Sequence, residues 1–170
     1  MKIDVVETSL PGVLVIQPDA HADLRGRNAT LYAEELYRAQ GITVGFVEDK
    51  ISVSRKDVLR GIHGDADTWK LITCLSGAIH LVVVDCDEVS PRFGRWEAFS
   101  LSGENLTQVL VPPKYGNGHL VMSGEAVFHY KWSHAYDLGK QFSYRYDDPR
   151  FKIGWPVEHP ILSDRDAARR

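Results

Sequence analysis

The stretch WKLITCLSGAIHLVVVD, residues 69–85, decides the fold. Two runs of apolar and β-branched residues, each of strand length, flank Ser76-Gly77, a dipeptide suited to a tight turn. The pattern reads as two paired antiparallel strands. The runs at 45–54 (GFVEDKISVS), 96–101 (WEAFSL), 107–113 (TQVLVPP) and 126–133 (AVFHYKWS) are equally short and are separated by Gly, Pro, Ser and Asn clusters. This spacing belongs to an all-β sandwich or barrel built from antiparallel strands.

Toward the N-terminus, PGVLVIQP at 11–18 reads as a strand bounded by prolines and as the opening of the fold. TLYAEELYRAQ at 30–40 carries good helix formers, with Thr30 able to cap the start and Gly41 able to take the position after the end. It is the one helix expected. From Asp147 the chain is rich in proline and charge and reads as a tail wrapped over the barrel, with Trp155, Ile161 and Leu162 as its apolar pins.

A chain of 170 residues with 44% hydrophobic content suits one domain over residues 1–170. Its net charge is −3 and its basic residues are scattered, which argues against a nucleic-acid partner. The N-terminal segment has no long apolar run and the longest apolar stretches are strand-length, so the expectation is a cytoplasmic protein with no membrane partner. Cys74 and Cys86 have no CxxC neighbour and read as reduced, buried thiols. Dinucleotide, P-loop and serine-hydrolase motifs are absent.

Candidate chemistry begins at VLRGIHGD, residues 58–65, where Arg60 and His63 could hold an anion and move a proton. Taken alone, the segment reads more readily as a surface loop with an ordinary histidine and arginine. Lys70 heads an apolar strand and would need a function if it pointed inward. In AVFHYKW the two-residue period puts Ala126, Phe128, Tyr130 and Trp132 on one face, where a tyrosine is a packing residue as readily as a catalyst. His80 and His119 lack the HxH pair and carboxylate of a metal-binding barrel, so no metal is expected.

Taken in order, DLRG (23–26), VLRGIH (58–63), WKL (69–71), SPRFGRWE (90–97), LSGENLTQVLVPPKYGNGHLV (101–121), YDDP (146–149), IGWP (153–156) and PILSDRDAA (160–168) resemble the dTDP-4-dehydrorhamnose 3,5-epimerase family across nearly the whole chain. The resemblance implies a cupin-like, metal-free jelly-roll β-barrel that needs no cofactor and forms a homodimer. It implies epimerisation at C3, C5 or both of a nucleotide-linked 4-keto-6-deoxy sugar in surface-polysaccharide or deoxysugar biosynthesis. His63 falls on the family's base, Asp166 on the aspartate paired with that base, Lys70 on the lysine near the keto oxygen and Tyr130 on the tyrosine across the ring. Arg60 and Arg25 fall on arginines that contact the nucleotide sugar.

Departures from the family pattern bear on the substrate. In KYGNGHLV, Asn117 replaces the usual histidine and is a candidate for substrate positioning, while His119 replaces an aromatic and is a candidate that reads equally as packing inside the barrel. Arg27 and Asn28 replace aromatics expected after DLRG, and Glu48 and Lys50 stand where amides are common. The combination of RGIHGD (60–65) with GNGH (116–119) is similar to a subgroup acting on GDP-linked 4-keto-6-deoxy-heptoses. Two other readings remain open at this point: a non-catalytic nucleotide-sugar-binding barrel, and a 3,4-ketoisomerase of the same fold.

Overall fold

A computed structural model describes residues 2–168. Its early strands are β1 (Ile3–Glu7), β2 (Leu14–Pro18), β3 (Ala20–Asp23), β4 (Gly26–Ala29), β5 (Glu48–Arg55), β6 (Leu59–Gly64) and β7 (Lys70–Ser76). They are followed by β8 (Ala78–Asp85), β9 (Trp96–Ser102), β10 (Gln108–Val111), β11 (Tyr115–Val121), β12 (Glu125–Trp132) and β13 (Phe142–Ser143). Helix α1 covers Glu34–Ala39 and α2 covers Asp164–Ala167. One sheet has the order β1-β2-β10-β7-β12-β5 and the other β13-β6-β11-β8-β9, with antiparallel pairing throughout; β3 and β4 form a separate hairpin. This is the expected all-β jelly-roll sandwich.

Alternation along the strands builds three apolar layers. Ile72, Cys74, Val109, Ala126 and Phe128 of the first sheet meet Ile79, Leu81, Val83, Leu101 and Val121 of the second in the central core. The other face of the first sheet buries Ile16, Leu71 and Leu110 under Tyr37 and Leu36 of α1. The other face of the second buries Ile62, Val82 and Val84 under Phe151, Ile153 and Trp155 of the tail. Because β8 is apolar on both faces, it belongs in the middle of a covered sheet.

That requirement overturns the hairpin reading of residues 69–85. β7 pairs with β10 and β12, whereas β8 pairs with β9 and β11, so Ser76-Gly77 carries the chain from one sheet to the other. Gly77 sits at φ +73, and a Cβ there would lie 2.1 Å from the Glu125 carbonyl oxygen. Only glycine fits this crossing.

The helix is shorter than its sequence pattern. It starts after Ala33, which caps it with no side-chain hydrogen bond, so Thr30 is not the cap. The carbonyl of Leu31 accepts from the Tyr37 hydroxyl at 2.7 Å and from Gln108 Nε2 at 3.0 Å, which holds the approach outside the helix. Gly41 takes the expected left-handed conformation after the end, at φ +80.

β1 precedes the strand read as the opening one, and the β3–β4 hairpin was not legible as strands at all. VLRGIHGD is not a surface loop: it supplies β6, and KYGNGHLV supplies its neighbour β11 in the second sheet. In the tail, Phe151 is buried and Trp155 packs against the sheet, but Ile161 is 40% exposed. Its backbone does the pinning, donating to the Asp57 carbonyl and accepting from the Leu59 amide. Met1 and the last two tail residues lie outside the described residues. Cys74 and Cys86 are buried and free. No helix among the described residues is long and apolar enough to cross a membrane.

Candidate active site

A bulge in the β6–β11 ladder creates the site. His63 lies opposite Asn117 and Arg60 opposite His119, so Gly61 and Ile62 of β6 stand against Gly118 alone. Directly opposed residues project to the same face, so the bulge puts Arg60 and His63 together on the side of Asn117 and His119. Gly61 lies inside it at φ +126, where a Cβ would meet Gly118 Cα at 2.4 Å. No larger residue fits this approach.

The facing sheet supplies the other wall. Lys70 shares the inward face of β7 with Ile72 and Cys74, while Phe128, Tyr130 and Trp132 project inward from β12. Across the β5–β12 ladder, Lys50 opposes Tyr130 and Ser52 opposes Phe128, which adds both to the same wall. Between the walls lies a cavity of about 270 Å³, closed on one side by Ser163, Arg165 and Asp166 of the tail.

His63 and Asp166, 103 residues apart, meet at the junction of β6 and α2. Nε2–H of His63 donates to Asp166 Oδ1 at 2.6 Å. Burial works against the Asp166 charge, but the His63 and Ser163 hydrogen bonds, helped by the nearby Arg165 charge, hold its carboxyl below the usual range. An ionised Asp166 fixes the imidazole tautomer and leaves Nδ1 as the nitrogen able to take a proton. Ser163 caps α2, accepting from the Asp166 amide at 3.2 Å and donating to Asp166 Oδ2 at 3.0 Å. Its S-x-x-D spacing is a capping box, a pattern by which the sequence could have revealed it.

Lys70 is only 4% exposed and reaches across the sandwich. Its Nζ donates to Asn117 Oδ1 at 2.9 Å and to the His63 carbonyl at 3.2 Å, and lies 5.1 Å from the Trp132 ring centroid. Two of its three protons thus have neutral protein acceptors, which leaves one to point at a ligand. Burial pushes its pKa down to about 8, with Asp65 pulling the other way. Tyr130 faces His63 from the opposite sheet, and burial, with Tyr136 adding to it, raises its phenol above the usual value.

His63, Asp166, Lys70, Tyr130, Arg60, Asn117 and His119 are all brought to this cavity. Arg25 is not: it sits at the β3–β4 turn, 89% exposed and paired with Asp23 at 2.5 Å. Trp132, Tyr136, Gln141 and Arg165 also line the cavity without having been singled out; their signals are ordinary aromatics and tail charges. The arrangement offers a base on one wall, an acid on the other and a buried cation between them, as proton transfer next to a carbonyl requires.

The sequence profile described as dTDP-4-dehydrorhamnose 3,5-epimerase matches residues 7–170. A dTDP-4-dehydrorhamnose 3,5-epimerase of Shigella flexneri is 36% identical over 168 residues, which are 96% of this chain and 93% of that protein. Among solved structures, the dTDP-6-deoxy-D-glucose-3,5-epimerase of Legionella pneumophila, in complex with dTDP-4-keto-L-rhamnose, superposes with a TM-score of 0.92 at 36% identity, covering 97% of this chain and 90% of that one. ChmJ, a 3'-monoepimerase of Streptomyces bikiniensis in complex with dTDP-quinovose, gives 0.87 at 33% identity, covering 94% and 83%.

Proposed function

The chain belongs to the dTDP-4-dehydrorhamnose 3,5-epimerase family, and from that premise we propose how its cavity epimerises a nucleotide-linked 4-keto-6-deoxy sugar. The C4 carbonyl acidifies the hydrogens on C3 and C5. His63 Nδ1 removes one of them, and Asp166 steadies the imidazolium that forms. The electrons move onto the carbonyl oxygen, where the free proton of Lys70 stabilises the enolate. Tyr130 then returns a proton to the same carbon from the opposite face, which inverts it. Solvent restores His63 and Tyr130 to their starting protonation states. Each positioned proton-transfer group contributes roughly a hundred- to ten-thousand-fold in rate.

The observation that carries this reading is the His63–Asp166 contact on the wall opposite Tyr130, with Lys70 between the walls. Arg60, tied by Nε to Ser54 at 3.1 Å, keeps the two terminal nitrogens of its fork for a phosphate. Asn117 holds Lys70 and thereby the keto oxygen. RGIHGD together with GNGH favours a GDP-linked heptose, and Arg27, Asn28, Glu48 and Lys50 argue against dTDP. We also read the chain as a single-domain cytoplasmic homodimer, since Leu24 on the β3–β4 hairpin and Ile51 and Val53 on edge strand β5 are exposed apolar residues that a second copy would cover.

Incubation with dTDP- and GDP-linked 4-keto-6-deoxy sugars, with NMR of the products, tests the assignment. Inversion at C3, C5 or both with the carbonyl retained at C4 is expected. A carbonyl moved to C3 makes the protein a ketoisomerase, and binding without any product makes it a non-catalytic barrel.

A further inference from the structure

Among the described residues, four that line the cavity carry a buried polar atom with no partner: Ser52 Oγ, His119 Nε2, Trp132 Nε1 and Arg165 Nε. Trp132 Nε1 and Arg165 Nε can only donate, whereas Ser52 and His119 can each donate or accept. They come from different sheets and meet around one ring: Ser52 is directly opposite Phe128 in the β5–β12 ladder, and the His119 imidazole stacks on Phe128 at 4.0 Å with 7° between planes. A buried polar group with nothing to bond to loses the hydrogen bonds that water would have given it, so a pair of them beside a ligand cavity points to a group that the ligand brings.

The chemistry of that group follows from the pair. Burial, reinforced by the Arg60 charge, pushes His119 down to about 3, so its ring is neutral and presents one donor and one acceptor. A serine hydroxyl likewise donates and accepts. Such a pair complements a neutral hydroxyl, whereas an anionic oxygen would favour the Arg60 guanidinium. Position narrows the choice further. His119 is the ladder partner of Arg60, and Ser52 is two residues from Ser54, which holds Arg60. With the C4 oxygen at Lys70 and the phosphate at Arg60, the pair lies on the phosphate side of the sugar ring. The ring of a 4-keto-6-deoxy sugar carries hydroxyls at C2 and C3 only. The C3 hydroxyl changes sides when its carbon is inverted, whereas the C2 hydroxyl stays put.

We propose that Ser52 and His119 form a two-point subsite for the C2 hydroxyl, anchoring the sugar through the reaction and making the enzyme selective against 2-deoxy sugars. The inference rests on the epimerase reading and on the placement of Lys70 and Arg60 in it. Loss of the C2 hydroxyl leaves both atoms unpaired, which should lower kcat/KM on the order of a hundredfold.

The test compares a 4-keto-6-deoxy sugar with its 2-deoxy counterpart, each as the dTDP and the GDP form, by deuterium incorporation from D2O. Wild type, H119F and S52A are assayed in parallel. Phenylalanine keeps the stack on Phe128, and S52A provides an independent variant should H119F fail to fold. The expected result is strong preference for the 2-hydroxy sugar in wild type and a ratio that collapses toward one in either variant, with the 2-hydroxy substrate losing far more than the 2-deoxy one. A ratio near one in wild type, or one unchanged in the variants, overturns the subsite while leaving the epimerase reading intact. Exchange with none of the four compounds overturns that reading, and the subsite with it.

Discussion

Replacing Lys70 with methionine should make the protein more stable and nearly inactive. Lys70 is buried, its hydrogen bonds go to two neutral oxygens, and burial brings its pKa from 10.5 to about 8. At roughly 1.4 kcal/mol per pH unit, that difference puts the cost of holding the charge in the fold at roughly 3 kcal/mol. Methionine has a similar length and removes the cost, but it leaves Asn117 Oδ1 and the His63 carbonyl without their donor, which takes back about 1 kcal/mol for each. A net gain of about 1 kcal/mol raises Tm by roughly 2–4 °C in a chain of this size. The melts must be run at matched protein concentration, because association also shifts Tm.

The sign of the pH dependence gives a sharper check. The folded pKa is below the unfolded one, so the penalty is fully present below pH 8. It fades between about 8 and 10.5, where the unfolded chain still holds the proton that the folded chain has released, and it is gone above that range. The stability difference between Lys70→Met and wild type should shrink over the same interval. Activity should fall by about a hundredfold or more at pH 7, as for other losses of charge stabilisation in a transition state. A methionine variant less stable than wild type at pH 7, or one whose advantage does not change between pH 7 and 11, would refute the reasoning.

Other consequences can be checked separately. In Tyr130→Phe, His63 can still remove and return a proton on its own face, so substrate in D2O should gain deuterium while little inverted product forms. Ser163→Ala removes both the cap of α2 and a hydrogen bond to Asp166; urea titration should show a loss of about 1 kcal/mol, and kcat should fall with it. The Asp166 carboxyl is held below 3.8, so the stability it contributes is complete above that pH and is lost as pH falls further. Acid unfolding followed by tryptophan fluorescence should therefore be less steep in Asp166→Asn.

Strand identity was legible wherever alternation was strong. β8 and β9 are found where their apolar runs placed them, and the inward face of β12 carries the residues its period assigned. Pairing was not legible, because Ser76-Gly77 fits a hairpin and a sheet-to-sheet crossing equally well, and only the covered outer face of β8 decides between them. β3 and β4 escaped notice because they bury almost nothing. The site was half legible. Residue chemistry raised His63 and Lys70 as candidates but left His63 reading as an ordinary loop histidine; the bulge that turns Arg60 and His63 to the same side depends on how β6 lies against β11, and Asp166 lies 103 residues from the histidine it contacts. Ordered motifs supplied what local patterns could not. Ser52 was invisible because a serine alternating along an exposed-looking strand has no signal until its partner strand is known.

The central claim is that His63 removes a proton beside a carbonyl, and the most direct measurement follows that proton. Proton NMR of a nucleotide-linked 4-keto-6-deoxy sugar in D2O should show the C3 or C5 signal, or both, disappearing at least as fast as product forms with wild type, and persisting with His63→Ala. Product that keeps its original hydrogens, or a His63→Ala variant that exchanges them at the wild-type rate, would contradict the account.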